Sequence, residues 1–423
     1  MTSFDTTLEG ANALDAADPL GKFRSRFVIP RGQTGEQLIY FCGNSLGLQP
    51  KQAKEYVDAE LLSWALHAVN GHFEGMNPWF GYHELCTEAA AHIVGALPHE
   101  VVMMNALTVN LHLLMTSFYR PTPERYKIVI EGGAFPSDRY AVASQAHAHG
   151  YDPANAVVEL QPREGEAFLR DDDIVKWLEE NGESVALVMI SGVNYYTGQF
   201  FDMERITTAG HAAGAKVGFD LAHAAGNVEL KLHDWNVDFA VWCSYKYMNS
   251  SPGGVGGAFV HDRHSEDESL ARFAGWWGNE PDTRFSMPDK FIPQKGAGGW
   301  QLSNAPVLPM AVFRASGDMF LEATMPALRT KSEKLSAYLL ALIDELPAGS
   351  IEVITPSDPA RRGCQVSLRA TRNAKALQEQ LEKAGVVSDF RPPDVVRIAP
   401  VPLYNTFEDV WRFAEVLRTT VNA

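Results

Sequence analysis

Between Val101 and His261 the chain alternates short apolar runs with segments of helical spacing. VVMMN, KIVIEG, VVEL, SVALVMISG, KVGFDL, FAVWCSY and GGAFVH read as strands, several of them apolar throughout, as strands covered on both faces must be. DDDIVKWLEEN and DMERITTAGHAAG place apolar residues three and four apart and predict helices with a polar face. Strands alternating with helices predict βα units, an α/β fold with a mainly parallel sheet. Beyond Pro309 the rhythm changes. MAVFRASGDMFLEAT, ALRTKSEKLSAYLLALIDEL and ALQEQLEKAG read as helices, IEVITP, CQVSLRA and VVRIAP as strands, and a last helix follows. This predicts a smaller α+β domain. The expected division is an N-terminal segment, 1–50, packing with the small domain, a large domain, 51–310, and the small domain, 311–423. No repeat, low-complexity tract or long linker interrupts it.

Composition narrows the partners. The 423 residues carry 36 Lys and Arg against 52 Asp and Glu, a net charge of -16, so the surface is expected to repel nucleic acid and anionic membranes. The N-terminus lacks a basic region followed by an apolar one, and no apolar run reaches the roughly 18 residues of a membrane span, which predicts a cytoplasmic protein. Cys42, Cys86, Cys243 and Cys364 are widely spaced with no CxxC pair, an arrangement of reduced core thiols in which no metal site is expected.

In α/β sheets ligands bind at the carboxyl ends of strands, which directs attention to Asn105–Thr108, Gly132–Asp138, Ser191, Asp220–His223 and Tyr245–Lys246. Lys246 follows an apolar strand, as a snorkelling surface lysine or as a desolvated amine suited to Schiff-base chemistry. Asp220 ends the strand before it, as a helix N-cap or as a carboxylate converging on the same pocket. An aspartate facing a pyridine nitrogen and a lysine facing an aldehyde are what pyridoxal phosphate requires, so one cofactor accounts for both. Thr108 opens a helical run where backbone N–H groups favour a phosphate, or is a plain N-cap. Phe135 offers a ring to stack on the pyridine, or closes the core, and Asp138 stands in the same loop. The stretch PGGVGG, 252–257, is no dinucleotide fingerprint, because position 259 is Phe259 and a strand follows it; a tight turn that lets backbone approach Lys246 is expected instead.

These residues carry a resemblance. From YFCGNSLGLQP at Tyr40 through GHFEGMNPW, MNALTVNLHLLM, AFPSDRYA, SGVNYYTGQ, DLAHAAGNV, WCSYKYMNSSPGG, GWWGNE and SNAPVL to RIAPVPLYNTFEDV, the chain resembles the kynureninases, pyridoxal-phosphate enzymes of fold type I, the aspartate-aminotransferase-like fold. The resemblance implies that Lys246 holds the cofactor, Asp220 pairs with its ring nitrogen and Phe135 stacks on it. It makes Leu107, Thr108, Pro136, Ser137, Asp138, Ser191 and His223 further cofactor contacts. Tyr245 becomes a phosphate contact and an acid, and Arg397 the grip on the substrate carboxylate; by itself Arg397 also reads as a surface residue on an edge strand. Ser45 joins the substrate site. Trp276 and Asn304 match positions that reach the active site from the neighbouring subunit, which implies a homodimer. His72 and Asn304 match positions around the substrate ring in members favouring the 3-hydroxy substrate; a loop packing beside Trp79 and a turn cap are their plainer roles.

The implied activity is hydrolysis of kynurenine or 3-hydroxykynurenine to alanine and the corresponding anthranilate, in tryptophan catabolism or NAD biosynthesis. A cysteine desulfurase or class V aminotransferase would share Lys246 and Asp220, but a desulfurase needs a cysteine on a mobile loop, whereas Cys364 lies in a strand-like run. A non-catalytic binding protein would lack one of Lys246, Asp220, Tyr245 and Arg397, all of which are present.

Overall fold

The computed structural model describes residues 4–370 and 373–422. All seven apolar runs are strands: β1 Val101–Met103, β2 Lys127–Glu131, β3 Val157–Leu160, β4 Val185–Ser191, β5 Lys216–Asp220, β6 Phe239–Cys243 and β7 Gly256–Val260. They form one sheet in the order β1-β7-β6-β5-β4-β2-β3. Neighbours from β6 to β3 are parallel, while β7 runs antiparallel to both β1 and β6. The missing polar alternation has a direct cause. Ala240 and Trp242 of β6 join one core, Phe239 and Val241 the other, so successive side chains enter apolar layers on both faces. The predicted helices Asp171–Asn181 and Met203–Ala212 are present, the first with Asp171, Asp172 and Asp173 in its opening turn, where the helix dipole favours them.

A second sheet holds β8 Ile351–Val353, β9 Val366–Ala370, β10 Asp389–Arg391 and β11 Val395–Ile398, antiparallel throughout, in the order β10-β11-β9-β8. Leu339, Val366, Leu377, Val396 and Phe413 form its core, which Ala11, Ile39 and Phe41 of the N-terminal segment also enter. The helix Val307–Ala323 instead packs against Ala53–His67 and Thr87–Val94.

Asp238, just before β6, ties these strands in place. Its buried carboxylate accepts from Val217 N at 2.8 Å and from His211 Nε2, His264 Nε2 and Arg263 Nη2 at 2.7 Å each. Burial by itself raises its pKa; the hydrogen bonds from His211 and His264 and the nearby Arg263 and Lys216 charges outweigh it and hold the group well below the usual carboxylate range. A depressed pKa contributes stability that is complete above the unfolded value, about 4, and is lost as pH falls below it. Asp238→Ala is therefore expected to cost about 3–5 kcal/mol at pH 7, because it strands buried donors and cations. Urea unfolding should show that the difference between variant and native protein shrinks as the pH drops below about 4. A constant difference between pH 7 and pH 3 would contradict this account.

Candidate active site

The carboxyl ends of the strands converge on one cavity. Glu131 ends β2, Ser191 ends β4 and Asp220 ends β5, with Ser191 and Asp220 directly paired across the sheet. Tyr245 and Lys246 leave β6 into the same space, which His223 enters from the turn after β5. Leu107 and Thr108 reach it from the helix after β1, and Phe135, Ser137 and Asp138 from the loop and helix after β2. Pro136 is absent from the lining; it occupies the first position of the helix Pro136–Ala148.

The collar around Lys246 is built by backbone restraint. Ser244 Oγ donates to Val255 O at 2.5 Å, Tyr247 is buried, and Asn249, at φ 55°, donates from Nδ2 to Tyr247 O at 2.8 Å. The glycine that admits backbone against the lysine lies elsewhere than expected. Gly47 donates its N–H to Tyr245 O at 2.8 Å, and a Cβ there would stand 2.3 Å from Lys246 O. Gly256 and Gly257 instead belong to β7, where a Cβ on Gly257 would strike the Trp242 ring.

Lys246 Nζ lies 3.1 Å from His223 Nε2 and 6.0 Å from the centroid of Phe135. Burial, then the Lys246 charge, hold His223 well below its ordinary pKa, so it is neutral and accepts from the ammonium at Nε2. The proton then sits on Nδ1, a buried atom with no partner among the described residues. Asp220 accepts from Ala222 N at 2.7 Å in a local turn; no helix follows it, so it is not an N-cap. Nor is Thr108, since Ala106 caps its helix and no side chain bonds the helix end. The buried carboxyl of Asp138 is pushed well above its usual range, first by burial and then by the Asp220 charge. Burial likewise pushes the Tyr245 hydroxyl far up, so it stays protonated.

Arg397 and Ser45 are absent from the cavity lining, and Arg397 connects to it through Tyr195. It lies on β11, an inner strand, and is 1% exposed, which rules out a surface arginine on a sheet edge. Nη1 donates to Tyr195 O at 2.7 Å, and Nη2 to Ser45 Oγ at 3.3 Å and to Asp389 Oδ2. Ser45 Oγ in turn donates to Asp389 at 2.6 Å. Tyr195 lines the Lys246 cavity and sets its ring edge-on to Phe135, with centroids 5.2 Å apart, so it joins the Arg397 guanidinium to that cavity.

Curated proteins similar to this chain settle its family. It is 52% identical over 420 residues, 99% of both chains, to the kynureninase of Koribacter versatilis, and 54% identical to that of Myxococcus xanthus over 98% of this chain and 97% of that one. The chain belongs to the kynureninase family. Its residues 328–417 match the model of the kynureninase C-terminal domain. Among solved structures, the cysteine desulfurase CsdA of Escherichia coli superposes with a TM-score of 0.76 at 16% identity, covering 95% of this chain and 98% of the other. A cysteine desulfurase of Thermococcus onnurineus gives 0.73 at 16%, covering 91% and 95%. These two likenesses concern the fold, that of pyridoxal-phosphate enzymes of type I. Kynureninase family membership makes the chain a pyridoxal-phosphate hydrolase of carbon–carbon bonds in ketonic substrates.

The residues fit that cofactor. Lys246 supplies an amine, Asp220 a carboxylate and Phe135 a ring within one cavity, and the unpartnered His223 Nδ1 offers a donor to an acceptor in it. Desulfurase chemistry does not fit. All four cysteines are buried, and burial pushes the Cys364 thiol up to about 12, so no accessible thiolate exists to accept sulfur. A larger open cleft lined by Phe168, Asp172, Met203, Arg205, Trp235 and Arg361 pairs no such lysine with a ring partner. His72, Trp276 and Asn304 stand outside the Lys246 cavity of their own chain. His72 packs edge-on to Trp79, Trp276 Nε1 donates to Arg284 O at 3.0 Å, and Asn304 lines a separate depression with Asn105 and Gly253. Glu131, Tyr195 and Asp389 were not anticipated from sequence, although Glu131, a carboxylate closing an apolar strand, carried a readable signal.

Proposed function

We propose that this chain hydrolyses 3-hydroxy-L-kynurenine in preference to L-kynurenine, releasing L-alanine and 3-hydroxyanthranilate, at sites shared between two copies of the chain. The observation that carries the reading is the convergence of Lys246, Asp220 and His223 in one cavity, to which the Arg397 guanidinium is joined through its hydrogen bond to Tyr195 O. Bound pyridoxal phosphate supplies an aldehyde for an amine and a protonated ring that withdraws electrons. Asp220 is the group to pair with the ring nitrogen, and Thr108 to meet the phosphate at its helix N-terminus. Arg397 takes the substrate α-carboxylate, exchanging its bond to Asp389 for one to the ligand. Lys246, freed by the substrate amine, removes the Cα proton, with neutral His223 beside it adding no second positive charge. Water adds to the γ-carbonyl and the Cβ–Cγ bond breaks; oxygen leaves in the anthranilate carboxylate, and Tyr245, protonated throughout the working range, donates toward the alanine fragment.

A shared site rests on two features. His72, Trp276 and Asn304 cannot serve the cavity of their own chain as it stands, and His72 and Trp276 adjoin an exposed apolar surface. Leu62, Trp64, Leu66, Val69, Phe73 and Met76 are 59–91% exposed, and Phe73 contacts Phe285, which contacts Trp276. Such a patch marks an interface, and a second copy would cover it while delivering these side chains. Among the described residues no helix is long and apolar enough to cross a membrane.

An imidazole and an amide can each bond a ring hydroxyl that unsubstituted kynurenine lacks. One such bond is worth on the order of 1 kcal/mol, so a preference of several-fold to tens-fold in kcat/KM is expected. Both substrates should be compared on the native protein and on His72→Phe combined with Asn304→Thr, following alanine and the anthranilate. Absence of both products refutes the activity. A native preference for kynurenine, or unchanged selectivity in the double variant, refutes the substrate assignment.

A further inference from the structure

We propose that Glu131 is a positioning residue of the cofactor site, anchoring Ser191 through both carboxylate oxygens and holding the Asp138–Asp220 pair to a single shared proton. The proposal rests on the site reading above and adds a residue to it. Glu131 closes β2, is 3% exposed and lines the Lys246 cavity. One oxygen accepts the backbone N–H of Ser191 at 3.2 Å, and the other accepts the Ser191 hydroxyl. Nothing in maintaining β2 requires this, because a strand end buried among apolar neighbours is cheaper without a carboxylate.

Three carboxyl groups, Glu131, Asp138 and Asp220, therefore share one buried site, with Lys246 as the nearby cation and His223 held neutral. Three negative charges cannot coexist there. The donors settle where the proton rests. Burial raises the pKa of all three groups; the two hydrogen bonds from Ser191 to Glu131 and the one from Ala222 N–H to Asp220 oppose that rise and make these two the easier to ionise. Asp138 has a buried oxygen without a partner among the described residues, and burial, the Asp220 charge and the Glu131 charge push its pKa well above the usual range. Asp138 is thus the proton holder, and the Glu131 charge beside it makes loss of that proton harder. The outcome is an ionised Asp220 facing the place of the ring nitrogen.

The test uses the cofactor-loaded enzyme and reads the pH midpoint of the bound cofactor's absorbance along with turnover. Glu131→Gln removes a negative charge near the cationic Lys246 linkage, so the midpoint should fall by about one pH unit. The same loss of about 1.4 kcal/mol corresponds to a roughly tenfold lower kcat, with KM little changed. Glu131→Asp, which restores the charge, should bring the midpoint back toward the native value. Ser191→Ala, which removes the hydroxyl donor to Glu131 and keeps the backbone one, should shift the midpoint in the same direction and carries the test if Glu131→Gln does not fold. A native midpoint in Glu131→Gln or Ser191→Ala, even with lowered thermal stability, overturns the role. Borohydride reduction of the same samples separates the two readings. A label on Lys246 with a native midpoint overturns Glu131 alone, and a label on another lysine overturns the site.

Discussion

Lys246→Ala is expected to lose hydrolysis almost completely, with kcat lower by about 10⁴-fold or more, because in the proposed mechanism one amine both holds the cofactor and moves the Cα proton. Borohydride reduction and peptide mapping should place the pyridoxyl group of the native enzyme on Lys246 and find none on the variant. The variant should still fold, since the lysine makes one side-chain bond, to His223. Its collar is held by Gly47, Ser244 and Asn249, which the substitution leaves untouched. The same variant tests the shared site. Mixed in excess with an Asn304→Ala chain of lowered activity under conditions of subunit exchange, it should raise the activity per intact Lys246, because a hybrid pair assembles one cavity with both groups intact. A pyridoxyl label on another lysine would refute the assignment of Lys246. Verified exchange without that rise would place each site within a single chain.

Arg397→Lys is expected to lower kcat/KM by about 10²-fold while the cofactor still binds. The substitution keeps a cation beside Asp389 and so avoids stranding a buried carboxylate, but it gives up the planar fork. In the structure that fork spans three acceptors, Tyr195 O, Ser45 Oγ and Asp389, on three separate segments. An ammonium on a flexible stem cannot hold the substrate carboxylate in register with them, and the Cα–H bond loses its alignment. Bound-cofactor absorbance and steady-state kinetics separate the effects. Near-native kinetics would remove Arg397 from the substrate site, and loss of the absorbance would show that it supports the cofactor instead.

Much of this molecule is readable along the chain. Seven apolar-rich runs became the seven strands of the large sheet, because a strand covered on both faces favours apolar residues on both sides of the chain, with polar ones held to its ends or partly exposed positions. Polar residues at their carboxyl ends mark the site, since strand ends are where such sheets leave room for a ligand. Hence Asp220, Ser191, Tyr245 and Lys246 were legible one by one, before any fold was known. Their convergence, and the plainer roles for Asp220, Thr108 and Arg397 that it excludes, needed three dimensions. Asp389 lies on a three-residue polar strand with no periodicity to betray it, and its partner Ser45 is 344 positions away. Glu131 is only a strand's last residue until Ser191 is brought beside it by parallel pairing with β5 and the placing of β2 alongside β4. Gly47 likewise acquires its purpose only from the backbone of Lys246 lying against it. Local periodicity determines which residues can be strands and where each one ends. Which ends share a cavity, and which charges must then divide the protons among them, is decided by contacts between segments far apart in the chain.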